Sequence, residues 1–363
     1  MFKEPSAIKL LRLCWTPFAL LLALSALVAL CSALGSQELQ VAMTEMLIRL
    51  SVVVGIYIFA GNSGILSFGH IGFMCIGAYA AAWATCDPQW KQLMLTGLPM
   101  FLRANRYPML VAVFGGGLLA GAVALAFGTA IMRLSGIAAS IATFAFLIVV
   151  NSIYANWDNV TAGTSSMVGI PTLVGPWVSF AFVVIAVILA YVFQMSGVGL
   201  MLRATRDDAV AAASSAIEIQ RVRLIAFAIS GFVVGAAGGV YAHFLGILTT
   251  DVFYLDLTFI TIAMLIVGGI GSLSGAVVGV VFITMVTEAF RAGEAGVDIG
   301  GFSLSLPRGA QEIGLGVLMA LVLIFRPAGI MGGRELPFPF RARQRLTRSP
   351  ESRKQGQSNR HFQ

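Results

Sequence analysis

Long apolar segments recur along the whole chain and are separated by short polar or glycine-rich segments. A helix needs about 20 apolar residues to cross a hydrocarbon core of about 30 Å. By that length the pattern predicts ten helical spans, with eight or nine as alternatives because 254–291 also fits one broken element. The predicted spans lie near 15–35, 41–60, 66–86, 108–132, 136–155, 176–195, 222–246, 254–269, 275–291 and 311–326. The fold class predicted is therefore an all-α integral membrane protein.

Composition supports the same class. Apolar residues make up 58% of the chain and charged residues 11%, and the mean hydropathy is +0.90. Soluble domains carry roughly 25% charged residues, and the alternation typical of an outer-membrane barrel is absent. The four cysteines have no CxxC spacing, which indicates packing residues and neither a disulfide framework nor a metal site. They are Cys14, Cys31, Cys75 and Cys86.

Lysine and arginine residues near span ends predict the orientation, because cytoplasmic loops are enriched in both. Lys3, Lys9 and Arg12 place the N terminus in the cytoplasm, and alternation then places Arg133 and the segment 203–223 on the same side. The loops 36–40, 156–175 and 247–253 contain neither residue and are predicted to face outside. The exceptions on the outer side are Lys91, Arg103, Arg106, Arg291 and Arg308.

Three regions are predicted along the chain. Residues 1–14 form a cytoplasmic N-terminal segment, 15–333 a polytopic membrane domain, and 334–363 a basic, disordered cytoplasmic tail. The tail carries much of the net charge of +7, which favours contact with anionic lipid headgroups and not with nucleic acid. The first span also resembles a signal peptide, but Leu30 is too large for a cleavage site before Cys31, so a retained helix is favoured.

The segment 203–223 reads RATRDDAVAAASSAIEIQRVR and interrupts the apolar pattern, since no Lys or Arg occurs between Leu134 and Leu202. It predicts a short helix from Arg206 to Ala216 with Thr205 as its N-cap, two aspartates in its first turn, and several alanines. A polar helix between two apolar spans suggests a cytoplasmic partner, and a plain solvated loop is the alternative. The predicted contact residues are Arg203, Thr205, Arg206, Asp207, Asp208, Ala211, Ala212 and Glu218.

Two glycine-rich breaks interrupt the spans without any Lys or Arg, at 61–70 and 268–275. Irregular backbone at membrane depth is tolerated where it is buried in protein or lines a wet cavity, and transport sites use such breaks. Pathway lining and close helix packing therefore both remain open. The structural glycines are Gly61, Gly64, Gly69, Gly268, Gly269, Gly271 and Gly275, and the candidate pathway residues are Asn62, Ser63, Ser67, His70, Thr164 and Ser165. A hydrogen bond from His70 to a neighbouring carbonyl is the alternative to solute contact.

The sequence shows no catalytic or metal-binding motif. It contains no GxxxxGK[ST], HExxH or GxSxG pattern, so no catalytic residue, no metal site and no cofactor is predicted in this chain. Glu45 and Arg49 are spaced i, i+4 within a span and are expected to pair.

Several segments resemble branched-chain amino acid ABC transporter permeases of the LivM type, in the same order along the chain. GNSGILSFGHIGFMCIGAYAAA resembles their GxxGxxSxGHxxFxxIGAY segment, and the segment from Gly199 to Ala242 is similar to their coupling loop and the helix after it. LSGIAASIATFAF, TSSMVGIP, GGIGSLSGAVVG and FRPAGIMGG resemble four further family segments. Departures from the family pattern occur at Ala209, Ala216 and Ser165-Ser166, where the family often has an acidic residue, a glycine and a glycine pair.

The resemblance implies a subunit of an importer of the ten-helix type in a bacterial inner membrane. The implied partners are a second permease chain, two ATPase subunits that bind ATP and Mg, a periplasmic solute-binding protein, and membrane lipid. The implied solutes are branched-chain or related amino acids, with urea, short amides or aromatic acids as alternatives. A self-sufficient secondary transporter or channel is the alternative of another class. Only Glu45, Arg49 and Glu288 supply ionisable groups within the spans, which argues against ion coupling.

Overall fold

The computed structural model describes residues 6–295, 297–299, 302–304, 307 and 309–336. Residues 17–335 form one compact unit. The predicted tail is therefore described only as far as Leu336, and residues 1–5 and Arg308 lie outside the described residues.

Fifteen helices follow one another in the described part of the chain. They are α1 (Ser6–Leu34), α2 (Gln37–Ser63), α3 (His70–Thr85), α4 (Pro88–Met94), α5 (Met100–Ala104), α6 (Met109–Ile131), α7 (Ile137–Ala155), α8 (Asp158–Thr161), α9 (Pro176–Met195), α10 (Gly197–Asp207), α11 (Ala209–Ser214), α12 (Ile219–Leu245), α13 (Leu255–Gly268), α14 (Leu273–Ala295) and α15 (Ala310–Phe325). A 3-10 turn, Thr250–Phe253, precedes α13.

Each of the ten predicted spans coincides with a helix. Within the described residues, eight helical segments are long and apolar enough to cross a membrane, and one of them combines the 3-10 turn with α13, Thr250–Gly268. The other two, α3 and α15, have 16 residues each and are shorter than a full span. The region 254–291 is two helices, because α13 ends at Gly268 and α14 begins at Leu273. The structure confirms an all-α membrane protein.

The ends of the helical region add two details. Leu20, Leu24 and Val28 recur every four residues on α1 and are buried, as expected for a helix that packs within the fold. Between α14 and α15, β1 (Val297–Ile299) pairs antiparallel with β2 (Phe302–Leu304). The hydrophobic pattern did not predict these two strands, although a Gly-Gly pair between two short segments is a sequence signal for paired strands.

Helices α2 and α12 form the centre of the fold. Helix α12 packs against α2, α3 and α6, and α2 also packs against α9 and α14. Small residues allow these close approaches. A Cβ added to Gly77 would collide with the backbone of Gly235, and one added to Gly238 would collide with the backbone of Met74. The abundance of glycine therefore reflects helix contacts in the interior.

Contacts between loops define two ends of the bundle. At the basic end, the segments that follow α2, α6, α9 and α13 lie near one another and near α10 and α11. At the opposite end, Met167 pairs with Leu248, the Cys86 thiol donates to the carbonyl of Val168, and the Trp83 indole donates to Val160. Successive long helices therefore run in alternate directions, as the predicted orientation requires.

The loop 86–107 at the opposite end accounts for two of the exceptions to the predicted charge pattern. The Lys91 side chain is fully buried there, and its ammonium donates to the carbonyls of Trp83 at 3.0 Å, Leu102 at 2.6 Å and Asn105 at 2.7 Å. Arg103 donates to the carbonyl of Thr96 at 3.1 Å. These two cations hold a folded loop together, so they carry no information about membrane orientation.

Candidate functional site

The first glycine break separates α2 from α3 at the basic end. Helix α2 ends with Gly64 as its C-cap at φ 72°, and the Gly64 amide donates to the carbonyl of Ala60. A Cβ at Gly64 would lie 2.7 Å from the Cγ of Arg206. Both the left-handed backbone and the approach of Arg206 therefore require glycine at this position.

His70 joins three helices at the start of α3. Its Nδ1 lies 2.8 Å from the Ser67 hydroxyl and its Nε2 lies 2.7 Å from the Ser230 hydroxyl of α12. Ser230 donates its own proton to the carbonyl of Gly55 in α2 at 2.6 Å, so Nε2 carries the ring proton and Nδ1 accepts from Ser67. The predicted alternative, a carbonyl partner for His70, is wrong in its detail, because both ring nitrogens bond to hydroxyl groups.

The other candidate pathway residues fall into two separate groups. Asn62, Ser63 and Ser67 are each less than 5% exposed. The Asn62 amide donates to the carbonyl of Ile58 at 3.0 Å, and Ser63 accepts from the amide of Ile65 at 3.2 Å. Thr164 and Ser165 are exposed at the opposite end. The six residues therefore do not form one cluster, and a pathway role for them stays a prediction.

The polar segment 203–223 forms two helices where one was predicted. Asp208 is extended, at φ −154° and ψ 109°, and its carboxylate accepts from the amides of Val210 at 2.8 Å and Ala211 at 3.0 Å. Asp208 is therefore the N-cap of α11, and the predicted cap at Thr205 is wrong. The Thr205 hydroxyl is buried in α10 and donates to the carbonyl of Leu202. The carboxylate at Asp208 caps two free amides, which favours ending α10 there.

Helix α11 ends in a Schellman motif. The amide of Ile217 donates to the carbonyl of Ala212 at 3.2 Å, and the amide of Ala216 donates to the carbonyl of Ala213 at 3.1 Å. Ala216 occupies the left-handed position of this motif at φ 61°. Glycine adopts this backbone conformation without the steric cost that a Cβ imposes.

Two arginines fix α10 to the end of α2. The Nε of Arg203 donates to the Asn62 side-chain oxygen at 2.8 Å, and its Nη2 donates to the carbonyl of Gln194 at 2.9 Å. The Nη1 of Arg206 donates to the carbonyl of Gly61 at 2.8 Å. The last carbonyls of a helix lack intrahelical partners and carry a partial negative charge, which two guanidinium groups complement. Both side chains therefore bind within the chain.

The second break lies against the first. A Cβ at Gly61 would lie 2.7 Å from the carbonyl oxygen of Ile270. A Cβ at Gly268 would collide with the carbonyl of Gly275, so α13 and α14 approach each other closely beside the break. Gly69 approaches the Thr143 backbone of α7 in the same way. The basic end thus brings both breaks and α10 into one assembly, which the separate sequence motifs did not predict.

Helix α11 presents the exposed surface of this assembly. The Val210 side chain is 81% exposed, and Ala211 and Ala213 are also exposed. Ala212 is buried at 4% exposure, so it supports α11 from beneath and is not part of that surface. Glu218 pairs with Arg221 at 3.2 Å, and both side chains are largely exposed. An exposed valine on a short helix is an apolar contact point that the sequence analysis missed.

Comparison with known proteins identifies the family. The family model described as branched-chain amino acid transport system / permease component matches residues 39–325. The chain belongs to this family. It is similar to the high-affinity branched-chain amino acid transport system permease protein LivM of Escherichia coli (strain K12), at 25% identity over 322 residues, which cover 79% of this chain and 68% of that protein. The LivM protein of Salmonella typhimurium is 24% identical over the same shares. No solved structure matches the chain.

The permease is therefore a multi-pass membrane component of an ABC transporter. A family of this kind contributes a transport subunit and not an enzyme.

Sequence reasoning missed two residues of the basic end, Gln194 and Glu335. Gln194 is a lone polar residue at the end of an apolar helix, which is a local signal of a polar contact. Glu335 lies next to Arg334 at the start of the predicted tail, so no local signal indicated its contacts.

Proposed function

We propose that the permease is the translocating subunit of an ATP-driven importer for branched-chain or related amino acids. Two LivM proteins with that printed solute class are similar to most of this chain. The observation that carries the mechanism is the attachment of α10 to α2 by Arg203 and Arg206, beside the exposed surface of α11. An element that binds a motor must also be fixed to the helices that the motor moves.

In this proposal, two cytoplasmic ATPase subunits bind ATP and Mg, and one of them docks on α11 through Val210, Ala211 and Ala213. A second permease chain completes the membrane part, and a periplasmic protein delivers the solute. The N-terminal segment 1–14, the loop 203–223 and the tail 334–363 then face the cytoplasm. The proposed bacterial inner-membrane location and the permease domain 15–333 follow from the same scheme.

Motion of α11 is proposed to reach the breaks through α10. A short helix moves as a rigid body because its backbone hydrogen bonds are internal. The two arginines donate hydrogen bonds to the last turn of α2, so a shift of α10 would displace Gly61 and Asn62. The candidate pathway residues Ser63, Ser67 and His70 follow directly along the chain. Opening of this break is the proposed step that exposes them to solute.

The docking surface is tested by Val210→Asp, which places a charge on the exposed apolar contact. Desolvating an unpaired carboxylate in an interface is costly, so we expect loss of copurified ATPase and at least about a tenfold loss of solute-stimulated ATP hydrolysis. The matched control is Leu93→Asp, because Leu93 is 78% exposed and lies in α4 at the opposite end. Full ATPase binding and uptake in Val210→Asp would place the motor contact elsewhere. Ala212 is unsuitable because a larger residue there would disrupt α11 itself.

The solute class is tested in proteoliposomes that contain the assembled transporter. Labelled leucine uptake that depends on ATP and is competed by isoleucine and valine supports the proposal. Competition only by urea, a short amide or an aromatic acid would assign the same machinery to that alternative. Uptake by this chain without ATPase subunits, driven by an ion gradient, would support the secondary transporter instead.

A further inference from the structure

The segment that follows α15 returns to the second glycine break and caps one side of it. We name Arg326–Glu335 the return segment. Within it, the amide of Ile330 donates to the carbonyl of Val267 at 2.8 Å, and the amide of Met331 donates to the carbonyl of Gly268 at 3.1 Å. These are the last carbonyls of α13, which have no partner within their own helix. The return segment therefore completes the hydrogen bonding of α13 where the chain breaks.

The same segment caps the other side of the break through Glu335. One carboxylate oxygen accepts from the amide of Leu273 at 2.9 Å, and the other accepts from the amide of Ser274 at 3.1 Å and from its hydroxyl at 2.6 Å. Leu273 and Ser274 begin α14. A carboxylate at a helix N-terminus binds free amides and interacts favourably with the helix dipole. One segment thus holds both helix ends that face the break.

Gln194 connects this cap to the two arginines of α10. Its side-chain amide donates to Glu335 at 3.2 Å, and its side-chain oxygen accepts from the hydroxyl of Tyr57 in α2 at 3.0 Å. Its backbone carbonyl accepts from Arg203 at 2.9 Å. A continuous set of hydrogen bonds therefore runs from α10, through the end of α9, to the start of α14.

We propose that Glu335 is a positioning residue that links the position of α10 to the break between α13 and α14. Gln194 is the intermediate that contacts both. This inference rests on the proposed function, because the link matters for transport only if α10 and α11 respond to an ATPase. The return segment is connected to the first break through Gln194 and Arg203. It binds the second break directly through Glu335. The two breaks, which lie in contact at Gly61 and Ile270, are thereby moved together.

The test is Glu335→Gln in the assembled transporter, with solute uptake per ATP hydrolysed as the readout. Glutamine has the size of glutamate, but it lacks the charge and turns one acceptor oxygen into an amide group that faces the donors of α14. We expect uptake per ATP to fall about tenfold, because charge-assisted hydrogen bonds are the strong ones. This ratio is independent of how much folded protein is present, so a loss of yield alone does not lower it. Arg334→Gln, at the exposed neighbouring residue, is the control and should leave the ratio unchanged.

Gln194→Leu tests whether the two residues act in one link. The double variant Glu335→Gln, Gln194→Leu should be no worse than the more defective single variant, because residues in one network are not additive. Independent, multiplicative losses would overturn the proposal, as would normal uptake per ATP in Glu335→Gln. If Glu335→Gln does not accumulate, Gln194→Leu removes the side-chain contact with Glu335 while leaving Glu335 in place, and an unchanged ratio there overturns the link.

The docking variant separates this proposal from the proposed function. If Glu335→Gln has normal uptake per ATP while Val210→Asp loses ATPase binding, the link is overturned and the docking proposal stands. Normal ATPase binding and normal uptake in Val210→Asp overturn the docking proposal on which the link depends.

Discussion

Both ends of the bundle bind cationic side chains to backbone carbonyls, but they do so over different sequence distances. At the opposite end, Lys91 contacts carbonyls that are 8, 11 and 14 positions away. At the basic end, Arg203 and Arg206 contact groups of α2 that are 141 and 145 positions away. The first arrangement ties the short helices α4 and α5 to the end of α3 within one stretch of chain, and the second joins helices that are far apart in the sequence. Hydrogen bonds between segments that are close in sequence make one region rigid, whereas hydrogen bonds between distant helices make those helices move together.

The chemistry of the two cations suits these different tasks. Lysine presents a compact ammonium with three donors, and Lys91 uses one for each of its three carbonyls. Burial lowers the pKa of the Lys91 ammonium, because desolvation disfavours the charged form. Arginine presents a planar fork, and Arg203 uses that fork to reach Asn62 of α2 and Gln194 of α9 at once. Only the arginine contacts reach a helix that is far away in the sequence, α2.

The largest expected effect is on stability at the opposite end. Lys91→Met keeps the apolar stem but leaves one buried and two partly buried carbonyls without their donor, and loss of a buried hydrogen bond costs about 1–3 kcal/mol. We expect the loop 86–107 to lose about 3 kcal/mol of local stability, measured as faster amide hydrogen exchange and faster proteolysis there. Copurified ATPase should be unchanged, because α11 lies at the other end. The control is Arg106→Gln at an exposed position, and equal protection in both variants would contradict a clamp at Lys91.

A smaller effect, on transport and not on the loop, is expected at the basic end. Arg203→Gln removes the fork that joins Asn62 to Gln194, and loss of one charged hydrogen bond corresponds to about a tenfold change. We therefore expect uptake per ATP to fall about tenfold while hydrogen exchange in 86–107 stays normal. Arg221→Gln is the matched control, since Arg221 lies in the same segment, is 73% exposed and pairs with the exposed Glu218. Equal uptake in the two variants would argue that Arg203 only packs.

The sequence predicted the helices of this fold well because their signals are local. Span length and hydropathy predicted a helix at each of the ten positions, and glycine clusters predicted both breaks. The cap at Asp208 was missed because Thr205 and Asp208 are both good N-caps, and packing of Thr205 into α10 decides between them. The contacts of Glu335 were missed for a different reason. Glu335 binds Ser274, which is 61 positions away in the sequence. Hydrophobic periodicity gives no information about contacts between residues so far apart.

The smallest expected effect compares the only two non-glycine residues with positive φ among the described residues, one at each end of the bundle. Ala216 ends α11 and Ala162 ends α8, both at φ 61°. Left-handed backbone costs alanine about 1–2 kcal/mol, and glycine offsets part of that gain through its larger loss of entropy.

Replacing these two alanines with glycine should have different effects, because only Ala162 is buried. Ala216 is exposed, so Ala216→Gly should stabilise the end of α11 by about 0.5–1 kcal/mol, seen as slower exchange of the amides of Ala216 and Ile217. Ala162 is only 7% exposed, and removing its buried methyl group costs about 0.8 kcal/mol, so Ala162→Gly should leave the stability of α8 nearly unchanged. An equal gain at both positions would mean that backbone strain alone decides, and that the methyl of Ala162 contributes no packing.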